Sequence, residues 1–494
     1  MRHVDLLQGF QMVASLTQDT VNYQFSQLFK RQVIHPKLDI VLADTGIELH
    51  AELSAPTVSF SVPDTNRTVL FKLNMPSGTF VYWEGFGAKA KQIRVSFKDW
   101  TYAFRVNLDM KRISQDHIKA GSAVPSVVKE HLDKFSDAFF SIKHLFLDLE
   151  NADFASFDMN HTRMKFPNGS QLTPGQITQF QQAISNYFNS LKGTNNPYIL
   201  GYSIEDNQNH PDSHTATFAP TSNTFSTFDD PTSEGMNVLN FLMMANNAPL
   251  PNDPRAGVFP TNWVTSQDYS GKFVISSGLF WDRWLLQKIN DGLQAGNPSI
   301  TETGWSFDKN TENKYTRENF NTCISDLTKV NAYITQTDHR TANVTYKNVN
   351  ASQVTIDLKG TFSKSYKNEF TCVFYEWVSE TATIDWTGKL TISAGDGQLP
   401  LHVELNVPEA TKSTDGNWIG KGDIALIPSN QTNLDQIGSS FNESMKGSIN
   451  MFKKFLSDLS NRFILPAGDV FYFKNPQMDD AGNLLLDITY KSEH

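Results

Sequence analysis

Over residues 433–463 an apolar side chain recurs at every third or fourth position: Ile437, Phe441, Met445, Ile449, Phe452, Leu456, Leu459 and Phe463. These steps trace one stripe of a 3.6-residue helix, and no proline interrupts it. At ~1.5 Å per residue the helix is about 40 Å long. A helix of that length with one apolar side must lie along an equally long apolar surface. Leu465-Pro466-Ala467-Gly468 is a stop signal, and strand-like runs follow at 470–473 and 484–490.

The rest of the chain supplies candidate surfaces. Residues 5–31 predict a helix with the stripe Leu6, Phe10, Val13, Leu16, Val21, Phe25 and Leu28, ended by His35-Pro36. Apolar residues then alternate with polar ones from Leu38 to Leu108, which predicts antiparallel strands with one buried face. Helices are expected at 125–143, at 279–293 and from Thr173, an N-cap with Pro174 at the first helical position. Residues 205–235 are rich in Asn, Asp, Pro, Ser and Thr and read as a surface loop. A second meander, 354–407, precedes the long helix.

At 494 residues the chain exceeds the ~250–300 that one core sustains. The Pro- and Asn-rich stretch 246–270 marks the expected boundary, giving halves 1–270 and 271–494 that repeat the order helix, meander, helix, strands. The expected fold class is α+β, with long amphipathic helices wrapped by strongly curved antiparallel β-sheets.

Net charge is −10, which lacks the basic footprint that a nucleic-acid partner requires. No apolar run approaches the ~20 residues of a membrane span. The polar residues Asp5, Gln8, Gln11 and Gln18 break any hydrophobic leader. The expected location is therefore cytoplasmic, or outside the cell without a classical signal peptide. Cys323 and Cys372 are too few for a disulfide framework.

Chemical motifs are incomplete. Gly416 to Gly422 has the glycines and lysine of a phosphate loop at the wrong spacing, and no Ser or Thr follows Lys421. Gly85-Phe86-Gly87 lacks the third glycine of a dinucleotide turn. His210 and His214 with Asp206 offer metal donors on a polar loop. Asp148, Glu150 and Asp153 read as a solvated strand end. The expectation is a protein without catalysis and without a cofactor. A carbohydrate-active enzyme is the contrasting reading, with Trp83, Trp263 and Trp386 stacking on sugars. The Phe-rich stripes beside meanders suit an elongated groove for an acyl chain. Its expected contacts are Phe10, Val13 and Leu16 on the first helix, Trp281 and Leu285 on the mid-chain helix, and Phe441, Met445, Ile449 and Phe452 on the long one.

Four segments carry a family resemblance. Ile275-Ser-Ser-Gly-Leu-Phe-Trp-Asp-Arg-Trp-Leu-Leu-Gln-Lys-Ile289 resembles the mid-chain helix of the clostridial forty-seven-kilodalton proteins of botulinum toxin gene clusters. Phe463-Ile-Leu-Pro-Ala-Gly-Asp-Val-Phe-Tyr-Phe-Lys474 is similar to that family's C-terminus. Phe146-Leu-Asp-Leu-Glu-Asn-Ala-Asp-Phe154 and Asn196-Pro-Tyr-Ile-Leu-Gly-Tyr202 fit as well. The family belongs to the tubular lipid-binding superfamily. The resemblance implies two such halves, a lipid or other apolar ligand, other toxin-cluster proteins as partners, and no catalytic residues. The alternative under the same resemblance is a scaffold in a toxin complex whose groove has collapsed.

Overall fold

The computed structural model describes residues 5–63, 65–85, 87–121, 123–149, 151–152, 154, 157–191, 196–206, 218–320, 330–371, 375–393, 401–416, 430–468 and 471–490. Strands dominate, in three sheets. Six α-helices accompany them among the described residues: α1 Gln18–Lys30, α2 Gln115–Ala120, α3 Ser126–Leu132, α4 Pro174–Ser190, α5 Leu286–Leu293 and α6 Asn430–Arg462.

The chain divides into two compact units that do not follow a single cut. One comprises Asp5–Ser276, Phe455–Lys474 and Leu485–His494; the other is built mainly from Ser277–Lys454 with Asn475–Leu484. C-terminal segments thus belong with the N-terminal part, whereas the sequence reading kept 271–494 together.

In the larger unit, one sheet is ordered Phe463–Ile464, Ile199–Asp206, Phe140–Leu147, Lys91–Ile113, Thr68–Glu84, Ile47–Glu52 and Lys37–Leu42. Its centre is a long hairpin pairing Thr68 with Asn107 through to Glu84 with Lys91. The predicted short strands at 69–73, 93–97 and 104–108 are pieces of these two continuous strands. Helix α4 lies on this sheet as its pattern predicts. Thr173 and Gln176 form a reciprocal capping box at its start. Its inner face presents Phe180, Ala183, Ile184 and Phe188, all buried. Phe180 meets Phe80, Trp100 and Tyr102 at ring distances of 5.9, 5.9 and 5.2 Å. Phe188 meets Phe71, Phe104 and Phe154 at 6.0, 5.3 and 5.1 Å. Such edge and stacked pairs add to simple area burial.

Three predicted elements differ. Residues 5–31 are not one helix: Met12–Thr17 is a strand between Val238–Ala245 and Gly271–Ile275, and only α1 is helical. All six residues of that strand are buried, so a central strand hidden on both faces imitates a helical stripe. Thr17 ends the strand and caps α1, its hydroxyl accepting the Thr20 N–H. The expected helix 125–143 is only α3, because Phe140–Leu147 pairs with strands on both sides. The polar loop 205–235 contains the strand Pro220–Phe228, paired with Val238–Ala245. Some of its polar side chains are bonded inside the sheet: Ser226 donates to the Gly257 carbonyl at 2.8 Å, and Asn240 donates to Ser226 at 3.3 Å. Sequence polarity reported solvent where a hydrogen-bonded interior stands.

The smaller unit holds a sheet ordered Ser299–Ile300, Gly304–Phe320, Val330–Asn350, Gln353–Thr371, Tyr375–Ser393 and Leu401–Asn406, with Thr411–Gly416 also pairing Tyr375–Ser393. A π-helical turn, Gly278–Leu285, runs directly into α5. On α6 the predicted stripe is buried at Phe441, Met445, Ile449 and Phe452, joined by Leu434; Ile437 is half-buried. The side chains of Leu456 and Leu459 lie outside the described residues. Phe452 stacks on Trp284 at 4.4 Å and meets Phe280 edge-on at 5.7 Å. Phe441 packs on Trp386 and Phe362 at 4.7 and 5.6 Å. Gly292 is required there, since a Cβ would stand 2.2 Å from the Phe441 ring.

Truncating this seam removes well-packed aromatic volume. Phe452→Ala is expected to lower stability by about 3–5 kcal/mol, read as a shift of the urea unfolding midpoint. A change below ~0.5 kcal/mol, typical of surface sites, would contradict the packing role. Gly292→Ala should also destabilise, through steric conflict with Phe441.

Candidate functional site

The nine predicted groove residues are all buried. Phe10, Val13 and Leu16 lie on or just before the strand Met12–Thr17 rather than on a helix. Phe10 and Val13 join a core with Leu7, Leu242, Met244, Phe259 and Val274. Trp281 packs against Trp305 and Tyr346, and its indole N–H donates to the Gly482 carbonyl at 2.9 Å. Leu285 is buried in the same turn. Phe441, Met445, Ile449 and Phe452 line the inner side of α6. All nine side chains thus lie in the interior.

An open volume occurs elsewhere in the larger unit. A pocket of about 350 Å³ is bounded by the ends of two paired strands, Lys91–Ile113 and Phe140–Leu147, by α2 and its following residues, and by the stretch after α4. None of the nine predicted residues lines it. Ile113, Val124, Ile199 and Phe146 form its apolar floor, continuous with a buried cluster that includes Ile118, Val128, Leu132 and Ile142. Lys111, Arg112, His117 and His144 supply the nitrogen-bearing side. Ile113, the last residue of its strand, is buried, while the preceding Lys111 and Arg112 are exposed.

Lys111 and His144 are direct cross-strand partners. The His144 ring meets Phe146 edge-on at 4.8 Å, and the Lys111 ammonium stands 5.3 Å above the Phe146 ring. Lys111 also pairs with Asp109 at 2.9 Å. Burial, followed by the positive charge of Lys111, holds the His144 pKa down at about 4, against a weaker opposing pull from Asp109. His144 is therefore a neutral imidazole at pH 7. Its Nδ1 is buried and meets no hydrogen-bond partner among the described residues. On the far wall Asn196 is held by donating to the Leu147 carbonyl at 2.9 Å and accepting from the Tyr198 N–H. The pocket offers an apolar floor and a rim on which Lys111, Arg112 and His117 outnumber the single carboxylate of Asp148, a combination that suits an amphiphile with a polar head.

The weaker motifs fare differently. His210, His214 and most of 416–422 lie outside the described residues, as do Cys323, Cys372, Glu150 and Asp153. Among the described residues no three His, Cys, Asp or Glu gather as a metal site, and no helix is long and apolar enough to cross a membrane. Trp386 is buried, Trp263 is partly buried against a core cluster, and Trp83 is 40% exposed. Sequence reading missed the pocket because its residues come from four separated segments. The only local sign is Lys111-Arg112 next to the apolar Ile113 at a strand end.

His144 makes stability pH-dependent with a defined sign. Its pKa is lower folded, at about 4, than the ordinary 6.5. Its contribution is thus complete above pH 6.5 and is lost as pH falls toward 4, where the unfolded chain takes up the proton first. Between pH 7 and 5 the wild type should lose on the order of 1–2 kcal/mol more stability than His144→Gln. Urea unfolding of both proteins at the two pH values measures it; parallel losses would refute the assignment.

No known family profile and no curated protein matches the sequence. Among solved structures, the chain is similar to P47 from Clostridium botulinum A2, with a TM-score of 0.48, 12% identity, and 98% of each chain covered. P47 of Clostridium botulinum E1 gives a TM-score of 0.47 and 12% identity, over 97% of this chain and 99% of that one. A lipopolysaccharide binding protein gives 0.29 and 11%, over 98% and 99%.

Proposed function

We propose that this protein binds a lipid-like amphiphile without catalysing its conversion, and that the ligand sits in the basic-rimmed pocket of the larger unit. The observation that carries the reading is the pairing of one apolar floor, Ile113, Val124 and Ile199, with Lys111, Arg112 and His144 at its edge. A volume of about 350 Å³ falls at the small end of ligand pockets and suits a single short chain. Each buried methylene contributes about 0.8 kcal/mol, so a medium-length tail offsets the cost of association. An anionic head gains from Lys111 and Arg112 despite the net charge of −10, since short-range pairing outweighs a screened global field.

The resemblance of segments 275–289 and 463–474 to the clostridial toxin-cluster family extends the proposal to an accessory role beside toxin-cluster proteins. The packed seam of Phe441, Phe452, Trp284 and Trp386 favours a second reading for the smaller unit alone. In that reading the unit acts as a scaffold that presents its surface to a protein partner.

Titration with dodecanoate and with dodecanol, followed by displacement of a fluorescent fatty acid, tests the ligand proposal. Wild type should bind both saturably. Lys111→Glu with Arg112→Glu should weaken dodecanoate by about tenfold or more, a loss of ~1.4 kcal/mol, and leave dodecanol little changed. Val124→Phe, which fills the pocket, should abolish both while circular dichroism confirms folding. Absence of saturable binding by wild type, or unchanged binding by a folded Val124→Phe protein, would sink the proposal.

A further inference from the structure

The outer face of α4 borders a second recess, separate from the basic-rimmed pocket and sharing no residue with it. This open groove of about 800 Å³ lies between α4 and residues 41–45, which follow and include the end of the strand Lys37–Leu42. Its chemistry is unlike the rest of the surface. Charged residues make up 19% of the chain, yet among the described residues lining the groove Asp44 is the only ionisable one. The α4 side consists of Thr178, Gln181, Gln182, Ser185, Asn186 and Asn189.

Two of these side chains are occupied. Gln181 donates to the Phe154 carbonyl at 3.0 Å, and Thr178 donates to the Pro174 carbonyl at 3.0 Å. Gln182, Asn186 and Asn189 are exposed and make no hydrogen bond among the described residues. They stand at i, i+4 and i+7, one above another on successive helical turns about 5.4 Å apart. That step is comparable with the length of one sugar ring. Each carboxamide carries an acceptor oxygen and two donor hydrogens, which complements hydroxyl groups that both donate and accept.

An aromatic side chain is anchored to the groove wall at Thr45. The Trp83 indole N–H donates to the Thr45 carbonyl at 2.6 Å, and the Trp83 backbone exchanges two hydrogen bonds with the Gln179 side chain, at 2.8 and 2.9 Å. Trp83 is therefore held between α4 and the groove wall with 40% of its surface exposed. An anionic ligand would require cations, and none stands among the described residues lining the groove. A purely apolar ligand would leave the carboxamides unpaired. The aromatic face, the neutral amides and the fixed helix together select a molecule with many hydroxyls and some C–H surface.

We infer that this groove binds a neutral oligosaccharide, its hydroxyls meeting Gln182, Asn186 and Asn189 and a sugar face packing beside Trp83. The site is independent of the amphiphile pocket, so either can fail without the other.

The full chain can be screened against a panel of neutral glycans: glucans, xylo- and chito-oligosaccharides, and galactose- and fucose-terminated chains. The strongest is then titrated by calorimetry. Saturable binding that changes little with salt is expected. Gln182→Ala combined with Asn186→Ala should weaken it by about tenfold or more, as loss of ~1.4 kcal/mol implies, at an unchanged melting temperature and unchanged dodecanoate affinity. Trp83→Ala should weaken it too. The inference is overturned if no neutral glycan binds saturably, if the double variant binds as wild type does, or if only sulfated or sialylated glycans bind and salt releases them.

Discussion

The docking of α4 onto the long hairpin is the contact on which the larger unit's functional surfaces depend. Phe180 and Phe188 sit two turns apart on the helix and enter a floor made by Phe71, Phe80, Trp100, Tyr102 and Phe104. Rings in such arrangements fix rotation as well as depth, because edge-to-face geometry is directional. With the inner face fixed, the outer face must present Gln182, Asn186 and Asn189 to solvent. The end of the same helix brings Leu191 to the wall of the basic-rimmed pocket. One packing interaction thus places two chemically different recesses.

The two units use aromatic residues in different ways. In the smaller unit Trp281, Trp284, Phe441 and Phe452 are buried and pack ring against ring. Protein interiors are dense enough that such rings accept no further guest without moving. In the larger unit the volume opens at a strand end, where the sheet pairing of Lys91–Ile113 with Phe140–Leu147 runs out. Charged side chains can reach solvent there while their neighbours remain buried. His144 records the compromise: it is sufficiently desolvated to stay neutral, yet its Nδ1 has no partner among the described residues. A buried polar nitrogen of that kind costs free energy.

Polar residues within the sheets serve a separate purpose. Ser15, Asn240 and Ser226 lie on adjacent strands and hydrogen-bond across them, with Ser226 passing on to the Gly257 carbonyl. A wholly apolar central sheet could slip by two residues with little loss. A network of this kind is broken by any slip, so it favours one register.

Helices with a cap and a clear stripe were legible from the amino-acid sequence by itself. Thr173-Pro174 started α4, and the spacing of Phe441, Met445, Ile449 and Phe452 identified the buried side of α6, because both signals are local. Strand alternation showed the β-rich character. What only the tertiary structure decided was pairing. Residues 12–17 satisfy a helical period and a buried strand equally well, and two flanking strands settle the matter. Residues 140–147 and 220–228 follow the same rule. Whether the stripes bordered a groove or a filled core also lay beyond the sequence, since it depends on which rings meet. The basic-rimmed pocket required Lys111, Val124, His144 and Ile199 to converge, and no period within one segment carries that information.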